Sequence, residues 1–131
     1  MEPRIEYGKV APGVFGAMRG LEEYVHQSGL EPSLVDFVKL RASQINGCAY
    51  CIDMHTKDAR ARGESEQRLC ELVAWRETPF YTERERAALA WTEALTLISQ
   101  GHAPDDVYEV ARAHFTEKEL VDLSMAIITI N

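Results

Sequence analysis

Residues 32–63, PSLVDFVKLRASQINGCAYCIDMHTKDARARG, carry two helical signals joined by one corner. Pro32 and Ser33 suit a first helical turn. Leu34, Val35, Phe37, Val38, Leu40 and Ile45 follow at helical spacing until the turn-forming pair Asn46-Gly47 interrupts them. From about Cys48 a second helix runs to Arg62 and stops at Gly63. Working outward, the same period recurs. Pro12 opens a segment with Phe15, Met18, Leu21 and Val25 on one face and Gly29 at its end. A helix starting near Ser65 carries Leu69, Leu72, Val73 and Trp75. Thr82 with Glu85, and Thr116 with Glu119, have the spacing at which a hydroxyl and a carboxylate each satisfy a free amide at a helix start. The first pair opens a helix holding Ala87, Leu89, Ala90, Trp91, Ala94, Leu95 and Ile98 and ending at Gly101, and Pro104 to His114 forms a shorter segment. No strand-type alternation bounded by hairpin turns occurs, and no internal repeat is visible. The expected class is all-α: an antiparallel helical bundle of about six helices, with a CxxC motif at one helix N-terminus.

The length of 131 residues fits one domain over residues 1–131, and 46% hydrophobic content excludes a disordered or fibrous chain. No run of about 18 apolar residues could span a bilayer, and the N-terminal MEPRIEYGKV lacks a secretory signal, so a cytoplasmic protein is expected. Fourteen Lys and Arg against 21 Asp and Glu give a net charge of -7, which opposes binding to nucleic acid. The one local basic stripe is Lys57, Arg60 and Arg62. The last helix carries Leu120, Leu123, Met125, Ala126, Ile127, Ile128 and Ile130 and reaches Asn131 without a polar cap or glycine. A helix so apolar should be buried, against a neighbouring subunit or a further stretch of chain.

Three cysteines are too few, and oddly numbered, for a secreted disulfide framework, which leaves chemistry or burial as their purpose. Cys48 and Cys51 form the CxxC, and His55 lies four residues past the second sulfur. On a helix these offsets place all three side chains on one face. Cys48, at the helix start, meets free N–H groups and the positive end of the dipole, which favour a thiolate, while His55 can take up or return the proton. Such a pair attacks disulfides or peroxides and closes an intramolecular disulfide.

Other readings of these residues are weaker. A structural zinc needs a fourth protein ligand, and the chain offers no second CxxC or HxxxH, so no metal or other cofactor is expected. A purely structural disulfide across so short a loop gains little unfolded-state entropy. Cys70, between Leu69 and Leu72, is expected to be buried as a small apolar side chain. His26, His102 and His114 read as surface or capping residues.

The stretch from Val38 to Thr56, centred on GCAYCIDMH, resembles the core of the alkylhydroperoxidase-D-like proteins of the carboxymuconolactone decarboxylase superfamily. A weaker likeness covers residues 12–131, including Arg86 to Ala94. The resemblance implies a helical bundle that assembles into homodimers, trimers or hexamers; the hydropathy and the net charge already argue for no membrane or nucleic acid partner. It also implies a peroxidase acting on hydroperoxides, with a dithiol, thioredoxin-type or lipoyl-type reductant. By position, Cys51 becomes the peroxidatic residue that passes through sulfenic acid, and Cys48 the resolving thiol and proton donor. The helix-start argument alone favours Cys48 as the reactive thiolate, so the two lines differ on this point.

The family's glutamate, twelve residues before the first cysteine, corresponds to Asp36. From the Asn46-Gly47 corner, Asp36 is roughly 15 Å back and His55 roughly 12 Å forward at 1.5 Å per residue, so a helical hairpin brings them together. There Asp36 would orient the imidazole. Ser33, three residues earlier, equally gives Asp36 the spacing of a helix cap. This chain also has Tyr50 where well-known members have a histidine between the cysteines, and an aspartate one methylene shorter than glutamate, which leaves a gap for a water or the Tyr50 hydroxyl. The leading reading is a thiol-dependent peroxidase or disulfide oxidoreductase using Cys48, Cys51, His55 and Asp36. The alternatives are a non-enzymatic redox sensor or interaction module, and a decarboxylase, whose branch of the superfamily lacks this cysteine pair.

Overall fold

The computed structural model describes residues 2–131, which contain nine α-helices and no strand. They are α1 (Tyr7–Val10), α2 (Gly13–Gln27), α3 (Pro32–Asn46), α4 (Ala49–Ala61), α5 (Glu66–Glu71), α6 (Glu83–Thr96), α7 (Ile98–Gly101), α8 (Asp105–His114) and α9 (Glu117–Ile130). A 3-10 helix, Leu72–Glu77, continues α5. The all-α expectation holds, and the count exceeds six for local reasons. Tyr7–Val10 forms a separate turn, and at Leu97 (φ -98°, ψ 40°) the helix expected over residues 82–101 breaks into α6 and α7.

Helix α3 is the axis of the fold because it is buried nearly all round. Leu34 and Val38 pack with Ala88 and Trp91 of α6, Phe115, and Leu123 and Ile127 of α9. Phe37 and Leu40 pack on another side with Ala59 of α4, Leu72, Trp75 and Leu89. Asp36 and Ser43 are also buried, so the helix carries polar groups into the interior at chosen positions. Both expected capping boxes form: Thr82 and Thr116 each accept from the N–H three residues on, and Glu85 and Glu119 each accept from the cap's own N–H. Each cap is worth about 1 kcal/mol.

The corner after α3 sets the position of the cysteine pair. Gly47 takes a left-handed conformation (φ 64°), its N–H donates to Gln44 O (3.2 Å), and the Cys48 N–H donates to Ser43 O (3.1 Å). This paired closure satisfies the last carbonyls of α3 and turns the chain back, so that α4 packs against α3. The final residue reinforces the corner: Asn46 Nδ2 donates to Asn131 Oδ1 (2.7 Å). Asn131 Nδ2 in turn donates to Ile127 O (2.9 Å) and Thr96 Oγ1 (3.0 Å). Asn131 is thus the polar cap that the sequence reading did not find for α9.

Two apolar helices are covered on only part of their surface within this chain. On α2 only Val25 is buried, while Phe15, Met18 and Leu21 lie open, because α2 packs chiefly on α9. On α9 the face carrying Leu120, Leu123, Ala126 and Ile127 is buried, whereas Val121 and Ile128 are exposed. No helix among the described residues is long and apolar enough to cross a membrane.

Candidate active site

Cys48 is the N-cap residue of α4 and follows Gly47, the C-cap residue of α3. Its backbone is extended (φ -84°, ψ 97°), and its Sγ accepts the N–H of Cys51 at 3.3 Å, so sulfur occupies the N-cap position. The Cys48 and Cys51 sulfurs are joined as a disulfide with the Cα atoms 5.3 Å apart, and both residues are half-buried. The remaining cysteine, Cys70, is exposed, contrary to expectation: in the short helix α5 the inward position goes to Leu69, which turns its neighbour outward.

His55, one turn after Cys51, is buried. Its Nδ1 lies 3.9 Å from Asp58 Oδ2, and its Nε2 is occluded without a hydrogen-bond partner. Burial, and then the nearby Lys39 ammonium, push the imidazole below the ordinary histidine value, outweighing the opposite pull of Asp58 and Glu22. The ring is therefore neutral, and able to accept a proton, at neutral pH.

A cavity of about 200 Å³ adjoins His55, lined among others by Glu22 and His26 of α2, Asp36 and Lys39 of α3, and Asp58 and Arg62 at the end of α4. The hairpin thus brings Asp36 and His55 to one cavity, as the spacing predicts. The bond between them does not form: Asp36 Oδ2 accepts from Arg62 Nε at 2.7 Å, and the imidazole is left free of it. Nor does Asp36 cap a helix. Glu31 is the N-cap residue of α3, Pro32 opens the first turn, and no side chain bonds there. Burial raises the Asp36 carboxyl above its usual range, with Arg62 opposing. Tyr50 stands 75% exposed and does not line the cavity, so its hydroxyl is not the bridge. Neither sulfur lines the cavity, and His55 alone belongs to both the cavity and the cysteine turn.

Sequence reading missed Arg62, Lys39 and Glu22 as site residues. Arg62 falls at the helical offset of seven from His55, which was the available signal. The apparent basic stripe is three separate ion pairs, Lys57 with Asp53, Arg60 with Glu66 and Arg62 with Asp36. No free cationic surface results at these positions. Lys39 is likewise paired, with Glu22. Among the described residues no group of three or more His, Cys, Asp or Glu is arranged to hold a metal ion.

The fold and site together define an all-helical domain whose disulfide caps a helix one turn before a buried histidine. Residues 12–94 match the carboxymuconolactone decarboxylase family, and the chain belongs to that family. It is 44% identical over 131 residues to the uncharacterized protein YdfG of Bacillus subtilis, covering 100% of this chain and 89% of that one. It is 28% identical over 101 residues to the uncharacterized protein YnjA of Escherichia coli, covering 77% and 55%. The crystal structure of a protein of unknown function from Agrobacterium tumefaciens, described as a candidate antioxidant-defence protein AhpD, superposes with TM-score 0.94 at 50% identity. That match covers 98% of this chain and 88% of the other, and places the chain with the alkylhydroperoxidase-D-like members of the family.

Proposed function

We propose that the protein is a thiol-dependent peroxidase. The observation that carries this reading is the disulfide at the N-cap of α4 with a neutral, buried histidine one turn beyond its second sulfur. In the reduced protein His55 takes the Cys51 proton, four residues being the contact distance on a helix, whereas Cys48 is seven residues away. The Cys51 thiolate attacks the terminal oxygen of a hydroperoxide. An S–O bond forms, the O–O bond breaks, and the departing alkoxide leaves as alcohol with the proton held on His55. Cys48 then attacks the Cys51 sulfenic acid, forming the disulfide and releasing water. An external dithiol returns two electrons and two protons by exchange.

The helix terminus has its own part here. The Cys51 N–H and the dipole stabilise negative charge on Cys48, making it an effective attacking thiolate in the second step and a good leaving group when the reductant attacks Cys51. This division of labour reconciles the helix-start argument with Cys51 as the peroxidatic residue.

The test is steady-state consumption of tert-butyl hydroperoxide or hydrogen peroxide by the full chain, with dihydrolipoamide as reductant. Many peroxides reduced per chain is the expected outcome. Consumption that stops at one equivalent contradicts an enzyme and favours the redox-sensor reading.

A further inference from the structure

We propose that Asp58 is the positioning residue of the histidine base: its carboxylate, beside Nδ1 of His55, holds a proton on that nitrogen and leaves Nε2 to take the Cys51 proton. The inference rests on the reading of His55 as the base for the Cys51 thiol. It goes beyond that reading by assigning which ring nitrogen acts and what holds the ring in that state.

The placement follows from helical spacing. Asp58 comes three residues after His55 on α4, an offset at which side chains are neighbours. Asp58 Oδ2 lies 3.9 Å from Nδ1, while Nε2 is occluded and without a partner. A carboxylate beside one ring nitrogen fixes the proton there, which makes the other nitrogen the basic one. At 3.9 Å the contact is an ion-pair distance and longer than a hydrogen bond, so the attraction grows when the ring becomes charged. Proton transfer from Cys51 creates that charge. The thiol becomes thiolate, Nε2 gains the proton, and Asp58 balances the resulting imidazolium.

The charged groups around the ring single out Asp58. From α2 come Glu22 and His26, from α3 Asp36 and Lys39, and from α4 itself Asp58 and Arg62. Glu22 is paired with Lys39 and Asp36 with Arg62. Among the described residues Asp58 has no ion-pair partner other than His55, so its charge is the one left for the ring. Helix stability gives no reason for an acid at this position. In the last turn of α4 a carboxylate meets the negative end of the helix dipole, which disfavours it. Lys39 acts in the opposite sense. It lies as far back along α3 from the Gly47 corner as His55 lies forward along α4, roughly 12 Å. Burial and Lys39 favour the neutral ring, and Asp58 opposes them, which keeps the imidazole basic enough to accept a thiol proton.

The experiment is an NMR titration of the histidine side chains in the reduced full chain, with the His55 signal assigned by its loss in His55→Ala. In wild type His55 titrates below the ordinary value of 6.5, and above its midpoint nitrogen shifts should show the proton on Nδ1. In Asp58→Asn the midpoint should fall further, by about half a pH unit, as expected for loss of one half-exposed carboxylate. Asp58→Glu should stay near wild type. Asp53→Asn removes an equally exposed acid of α4 that is paired with Lys57, and should leave the midpoint unchanged. Asp58 has a half-exposed side chain, so the Asn variant should fold as wild type does. A midpoint unmoved or raised in Asp58→Asn overturns the proposal. So does an equal fall in Asp53→Asn, or a wild-type ring with its proton on Nε2. The titration needs no peroxide, so its result stands apart from the turnover assay: a chain that fails to reduce peroxide can still show the Asp58 effect, and one that turns over can lack it.

Discussion

Replacement of Cys51 by serine is expected to reduce peroxide turnover to the uncatalysed background. A hydroxyl at that position has no accessible thiolate-like state and cannot pass through sulfenic acid, so the first bond-making step is lost altogether. Cys48→Ser separates the two steps. It keeps Cys51, His55 and the helix terminus, since a serine oxygen caps α4 at least as well as sulfur does, and only closure of the disulfide is removed. That chain should consume a single equivalent of peroxide and then stop. Steady-state and single-turnover assays on the two variants side by side check this. Sustained turnover by Cys51→Ser would move the peroxidatic role to Cys48, where the helix amide already points.

His55→Ala should slow turnover by roughly 10² to 10⁴-fold, the usual loss for a general acid-base group, with the disulfide-forming pair still present. The pH dependence gives the sharper reading. In wild type the imidazole sits below its ordinary value, burial being the main cause and Lys39 the next, so the acid limb of the rate profile should fall at pH values under 6.5. Without the base, the rate should instead climb with pH toward the range of a free thiol, about 8.5. The same group leaves a mark on stability. Its folded-state value is depressed, so between 6.5 and that lower value the unfolded chain binds the proton and the folded chain does not. Wild type therefore loses stability as pH falls through this window, and His55→Ala should lack that loss in thermal melts. Rates equal to wild type across the neutral range would remove His55 from the relay.

What was legible in the sequence was what depends on near neighbours. The Asn46-Gly47 corner, the threonine-glutamate caps and the CxxC with His55 one turn on are set by offsets of one to four residues, and each formed as read. The partner of Asp36 was not legible, because Arg62 lies 26 residues away and becomes a neighbour only when α4 folds back on α3. The same holds for Lys39 and Glu22, 17 residues apart and on different helices. Apolar periodicity located α2 but did not show that Phe15, Met18 and Leu21 lie open. It marks a face, not whether a partner element in the same chain covers it. Cys70 shows the converse error: apolar sequence neighbours do not bury a residue when a six-residue helix has only one inward face.

The central claim is that Cys51, and not either other thiol, meets the peroxide. It is tested most directly on the reduced Cys48→Ser chain, treated with one equivalent of hydroperoxide in the presence of a sulfenic-acid trap such as dimedone, then digested and mapped by mass spectrometry. The expected result is one adduct per chain, on the peptide that contains Cys51, with the exposed Cys70 still a thiol. An adduct on Cys70 with Cys51 unmodified, or no adduct while peroxide is consumed, would contradict the assignment.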